Sequence, residues 1–132
     1  MGKKPAAKTV IIITDGTEQI HKIADLITAV MADCKVRICS AENFAGTDLL
    51  PSDIFIIGCE KPNPPSFAYL KEMLMHINLI SRKCALFSTN EKTLKYLCKI
   101  VKDCEAQVTE PLFAKDGEIK KADIKKWLKN IN

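Results

Sequence analysis

Five consecutive residues, Thr14-Asp15-Gly16-Thr17-Glu18, are the chain's best candidate for ligand chemistry. They join an unbroken β-branched run, Val10-Ile11-Ile12-Ile13, to an amphipathic helical stretch. Open α/β sheets hold phosphate groups where a buried strand enters a helix through a glycine-bearing turn, because the first helical amides point outward unpaired. The two acids argue the other way. Asp15 with Glu18 three residues later reads as a capping box, in which the Asp15 carboxylate takes the amides a phosphate would use.

Two further groups close apolar runs. Gly58-Cys59-Glu60 ends Ile54-Phe55-Ile56-Ile57 and continues into Lys61-Pro62-Asn63-Pro64-Pro65, and Ser88-Thr89-Asn90 ends Cys84-Ala85-Leu86-Phe87. Cys59 is the thiol best placed for redox chemistry. It has no cysteine partner and only Lys61 as a basic neighbour, so a packed, inert thiol is expected. His21, with Asp25 four residues on, and His76 read as solvated helix residues. No Ser/His/Asp or Cys/His set and no metal-ligand spacing is present.

The elements that must carry these groups follow from periodicity. The first helix repeats Ile20, Ile23, Ile27, Val30 and Met31 at helical spacing, with Gln19, Lys22 and Asp25 on its wet side. Lys35 to Cys39 alternates charged and apolar residues, as edge strands do. Ala41 to Ser52 is a connection with room for one helical turn near Leu49-Leu50. Pro65 opens a helix that buries Phe67, Leu70, Leu74 and Ile77, and Glu91 to Asp103 forms another that buries Leu94, Leu97, Cys98 and Val101. A short polar strand, Ala106 to Thr109, resumes at Leu112-Phe113. Asp116-Gly117 turns the chain into a last helix that docks through Ile124, Trp127, Leu128 and Ile131.

Strict strand and helix alternation requires a parallel sheet covered by helices on both faces. Strands one, three and four are apolar throughout and belong inside, whereas two and five belong at the edges. The reading is a doubly wound, five-stranded parallel α/β sheet in the order 2-1-3-4-5. Ligands of such a sheet lie at the carboxyl ends of strands one, three and four, where the loops 14–18, 59–65 and 88–90 meet.

Composition narrows the function classes. With 132 residues and 47% hydrophobic content, the chain suffices for one domain, over residues 9–132, after a disordered tail at 1–8. A net charge of +4 with only 6% aromatic residues excludes a basic stacking surface, so no nucleic-acid role is expected. The Lys-rich last helix reads as a solvated face that would also suit an acidic partner. No apolar run reaches membrane-spanning length and the basic start meets only a short strand, so neither a membrane anchor nor a secretory segment is expected. The six cysteines contain no C-x-x-C pair and fit reduced thiols in the cytoplasm.

The succession of strand, Thr14-x-x-Thr17-Glu18, helix, a strand ending in Gly58 with a proline-rich loop, and Leu86-Phe87-Ser88 resembles the flavodoxin-like family from about Thr9 to Ile131. That resemblance implies an electron carrier whose first loop wraps the phosphate of flavin mononucleotide (FMN) and whose two later loops hold the flavin ring, commonly with aromatic side chains. It places cofactor-binding roles on Thr14, Asp15, Gly16, Thr17, Glu18, Gly58, Cys59, Glu60, Ser88, Thr89 and Asn90. Thr14 and Thr17 match the family's hydroxyls and Glu18 a frequent acid. Asp15 stands where the family has glycine and Ile12 where it has the first hydroxyl, and neither later loop contains an aromatic residue. Response-regulator receivers share the strand order but need an aspartate at the end of strand three, where this chain has Gly58-Cys59; Asp53 is at the wrong end. The expected function is therefore a divergent flavodoxin-like module with no tightly bound cofactor, which binds a protein partner or small ligand in the crevice and is not an enzyme. The alternative is an FMN-binding electron-transfer protein.

Overall fold

β-Branched and aromatic residues bury best on a pleated sheet flanked by helices, and the longest apolar runs of this chain form its central strands. The computed structural model describes residues 8–131; the tail expected over 1–8 lies, apart from Lys8, outside them. In chain order the elements are β1 (Thr9–Thr14), α1 (Glu18–Val30), β2 (Lys35–Ser40), α2 (Gly46–Leu49) and β3 (Ile54–Gly58). A single 3-10 turn, Pro65–Phe67, then leads into α3 (Ala68–His76), followed by β4 (Lys83–Ser88) and α4 (Glu91–Ile100). β5 (Gln107–Val108), β6 (Leu112–Phe113), a second 3-10 turn (Lys115–Gly117) and α5 (Lys121–Leu128) complete the chain.

All strand pairs are parallel, in the order β2-β1-β3-β4-β5, with β6 also on β4. The expected topology is the one found. The fifth position is filled by two short pieces: β5 pairs with the start of β4 and β6 with its end. Pro111 lies between them and has no N–H to donate, which suits a break in an edge strand.

Alternate residues of each central strand feed opposite cores. Val10, Ile12, Ile54, Ile56, Ala85 and Phe87 pack beneath α1 and α5. Ile11, Ile13, Phe55, Ile57, Cys84 and Leu86 pack beneath α2, α3 and α4. Each valine, leucine, isoleucine or phenylalanine among them contributes about 1.5–3 kcal/mol by leaving water, so a strand buried on both faces has its register fixed strongly. That register sets Thr14 beside Ser40 on one flank and beside Gly58 on the other, which brings three loops to one end of the sheet.

One burial expectation is corrected in α4. Cys98 is exposed. The buried line runs through Thr93, Leu97 and Val101, one turn apart, and the residue after Leu97 is rotated about 100° away from it. Leu94 and Ile77 are only partly buried, at the margins of their stripes. Asp53 sits at the amino end of the sheet, its carboxylate accepting a 2.9 Å bond from the Thr9 amide, which agrees with the rejection of a receiver.

Candidate functional site

The turn after β1 is built around Gly16. Its φ of +82° is a left-handed conformation that costs glycine little, and a Cβ there would meet open space. That conformation also overturns the expected capping box. A helix capped by Asp15 would need Gly16 in helical geometry; α1 instead begins at Glu18, with Thr17 at the cap position and no side-chain cap bond. The Asp15 carboxylate works sideways. Its Oδ1 accepts from the Thr17 amide at 3.0 Å and the Thr17 hydroxyl at 2.7 Å, and its Oδ2 accepts from the Glu60 amide at 2.8 Å. Because the Thr17 hydroxyl faces Asp15, the amides of Glu18, Gln19 and Ile20 receive no side-chain cap. Thr14 is buried, and its hydroxyl accepts a long 3.4 Å bond from Gly16.

Asp15 therefore ties the β1 loop to the β3 loop across the switch point of the sheet. Beside this tie lies a cleft of about 520 Å³. Asp15, Glu42 and Glu60 supply acid to its wall, Pro62, Pro64 and Pro65 make its stiff apolar side, and among the described residues Lys61 is the one cation that lines it. Glu18 lines a smaller neighbouring recess with Gln19, Lys22 and Glu60.

The expected crevice is present at the ends of β1 and β3, but its third loop is a different one. Glu42, from the loop after β2, lines the cleft, whereas Ser88, Thr89 and Asn90 do not. Sequence reasoning missed Glu42. Its signal was the pairing of β1 with β2, which carries the chain beyond Ser40 past the β1 turn. The β4 loop braces its neighbour: the buried Ser88 hydroxyl donates to the Cys59 carbonyl at 2.7 Å and accepts from the Asn90 amide at 3.2 Å. Asn90 caps α4, its Oδ1 accepting from the Lys92 amide at 2.9 Å, and Thr93 donates to the Glu60 carbonyl at 2.9 Å. The β3 loop is thus held from both sides.

Gly58 and Cys59 also serve packing. A Cβ on Gly58 would fall 2.3 Å from the Phe87 ring, so glycine is required by the close approach of that ring. Cys59 is fully buried, and burial, aided by the nearby Asp15 carboxylate, pushes its thiol far above the usual range, which disfavours the nucleophilic thiolate. His21 pairs with Asp25 at 3.5 Å on the wet face of α1, as its spacing predicts. Among the described residues, no group of three or more His, Cys, Asp or Glu is placed to hold a metal ion, and no helix is long and apolar enough to cross a membrane.

Comparison with solved structures decides the fold. The Streptococcus pneumoniae TIGR4 flavodoxin superposes with a TM-score of 0.78 at 16% identity, covering 95% of this chain and 97% of that one. The chain has the flavodoxin-like fold. A short-chain flavodoxin associated with a PDU bacterial microcompartment gives a TM-score of 0.80 at 11% identity, covering 95% and 96% of the two chains. Oxidised flavodoxin 2 from Bacillus cereus gives 0.72 at 20% identity, covering 91% and 92%. No family model and no curated protein matches the sequence. The likeness thus lies in the flavodoxin-like layout.

Proposed function

We propose that this chain is a flavodoxin-fold binding module that holds no FMN tightly and takes a small ligand or a protein partner in the crevice between the β1, β2 and β3 loops. The observation that carries the reading is the Asp15 carboxylate, bonded at once to Thr17 and Glu60. FMN would have to place its phosphate beside this fixed anion. At about 5 Å and an effective dielectric of ~20, each pair of unit charges repels by about 3 kcal/mol, or about two decades in dissociation constant. Glu42 and Glu60 add to the field, and the cleft wall offers prolines where a flavin ring would need an aromatic face. The residues present therefore do not fit a tightly held FMN. In this reading the module is a binding protein and not an enzyme.

One observation favours the alternative, an FMN-binding electron-transfer protein. The first-turn amides of α1 have no side-chain cap, and Gly16 leaves open space above them. Titration with FMN separates the two. The natively purified protein is expected to be colourless and to bind added FMN weakly, and Asp15→Gly is expected to tighten binding about tenfold or more by removing the anion. A yellow protein with stoichiometric FMN would overturn the proposal, and unchanged affinity in Asp15→Gly would remove Asp15 as its cause.

A further inference from the structure

The charge of this chain is unevenly placed. From Lys92 onward there are ten lysines against six acids, a surplus equal to the net +4 of the whole molecule. Four of those lysines, Lys92, Lys95, Lys99 and Lys102, are exposed; the first three lie on the face of α4 opposite Thr93 and Leu97, and Lys102 follows just past the helix's C-cap at Val101. Glu91 and Asp103 stand four residues from Lys95 and Lys99, yet neither is within ion-pair distance of them. The ion pairs among the described residues are His21–Asp25, Lys22–Glu18 and Arg37–Asp48, all in the first half of the chain. Like charges so spaced on one helix repel one another, and no internal carboxylate relieves them.

This stripe borders a groove of about 380 Å³ between α3 and α4. Lys71 and Lys99 face each other across it, and Met75, Tyr96 and Ile100 give it apolar walls, with Asp103 at one end. Met75 is 62% exposed, although a side chain of that kind gains by burial. Lys71 donates to Asn63 at 2.8 Å, which leaves its charge without an acidic partner.

We infer that this groove and the α4 stripe dock an acidic amphipathic helix of a partner protein, one apolar side chain seating between Met75 and Ile100 while its glutamates meet the lysines. The lysine steps within α4 are about 4.5 and 6 Å, the pitch at which a second helix repeats its own carboxylates. An extended peptide offers same-face groups about 6.6 Å apart and loses that register. A nucleic acid would meet the charge but has no aliphatic side chain for the groove. The surface is separate from the crevice, and the inference does not depend on what the crevice binds.

The test uses a synthetic helical peptide with glutamates in 3-4-3 spacing around a central leucine, titrated into the isotope-labelled full chain. Amide shifts centred on residues 71–75 and 92–103 and movement of the Met75 methyl are expected. Lys95→Glu with Lys99→Glu should weaken binding at least about tenfold, and Met75→Ala about threefold, with the rest of the amide spectrum unchanged. A scrambled peptide of equal charge that binds as well, or shifts centred on the α5 lysines, would overturn the proposal. So would an oligothymidylate that displaces the peptide from the same residues at lower concentration, since the surface would then read phosphates.

Discussion

The turns after β1 and β4 invite comparison, because both leave an interior parallel strand at the same end of the sheet and both start a helix within three residues. In the β4 turn the polar groups are spent on nearby scaffold: Ser88 braces the Cys59 carbonyl and Asn90 caps its own helix. In the β1 turn Asp15 reaches 45 residues along the chain to Glu60, and the helix it precedes goes without a side-chain cap. A turn that satisfies its own helix acts as a strut. One that leaves its helix uncapped and crosses a gap forms the wall of a cleft.

Gly58, paired with Thr14 on one side and Phe87 on the other, lies between the two turns and gives the largest expected effect. Gly58→Ala would drive a methyl to 2.3 Å from the ring of Phe87, which is fully buried and has nowhere to move. The expected cost is about 3 kcal/mol, read as a lower denaturation midpoint at unchanged m. A loss under about 0.5 kcal/mol would mean that the β4 side yields, and the contrast between strut and wall would fail.

The two caps come next. Asn90→Ala should cost about 1 kcal/mol, since it strips α4 of the acceptor for the Lys92 amide. Thr17→Ala should cost a few tenths, because the Thr17 hydroxyl bonds Asp15 rather than its helix. Equal losses in denaturation experiments would show that α1 is capped by Thr17 after all, and that its amides are not open.

The sequence made the fold legible because burial on both faces leaves a continuous apolar run, and β1, β3 and β4 each have one. Alternation in β2 and the polar, broken fifth strand marked the edges for the same reason. The site was legible only as an end of the sheet. Asp15 meets Glu60 because the β1–β3 register sets Thr14 beside Gly58, a nonlocal fact with no local pattern. Asp15 and Glu18 have the spacing of a capping box, but the left-handed backbone at Gly16 moves the helix start past it. The packing role of Gly58 has no local signal, because the Phe87 ring opposite it comes from a distant strand.

The smallest expected effect tests whether the braced side is as dry as the cleft is wet. Tyr96, on α4, has a buried hydroxyl without a partner among the described residues, and burial, with a smaller contribution from Cys59, pushes its pKa up to about 12. An unfolded tyrosine ionises near 10. Between those values the unfolded chain holds fewer protons than the folded one, so this contribution to stability is full below about pH 10 and is lost as pH rises through 12. Near-ultraviolet titration of the folded protein should therefore show one of its two tyrosines ionising near pH 12. Tyr96→Phe should abolish that step while changing stability at neutral pH by less than about 1 kcal/mol, because the hydroxyl it deletes makes no hydrogen bond. A titration complete by about pH 11 would place water beside Tyr96 and leave the β3 loop open on both flanks.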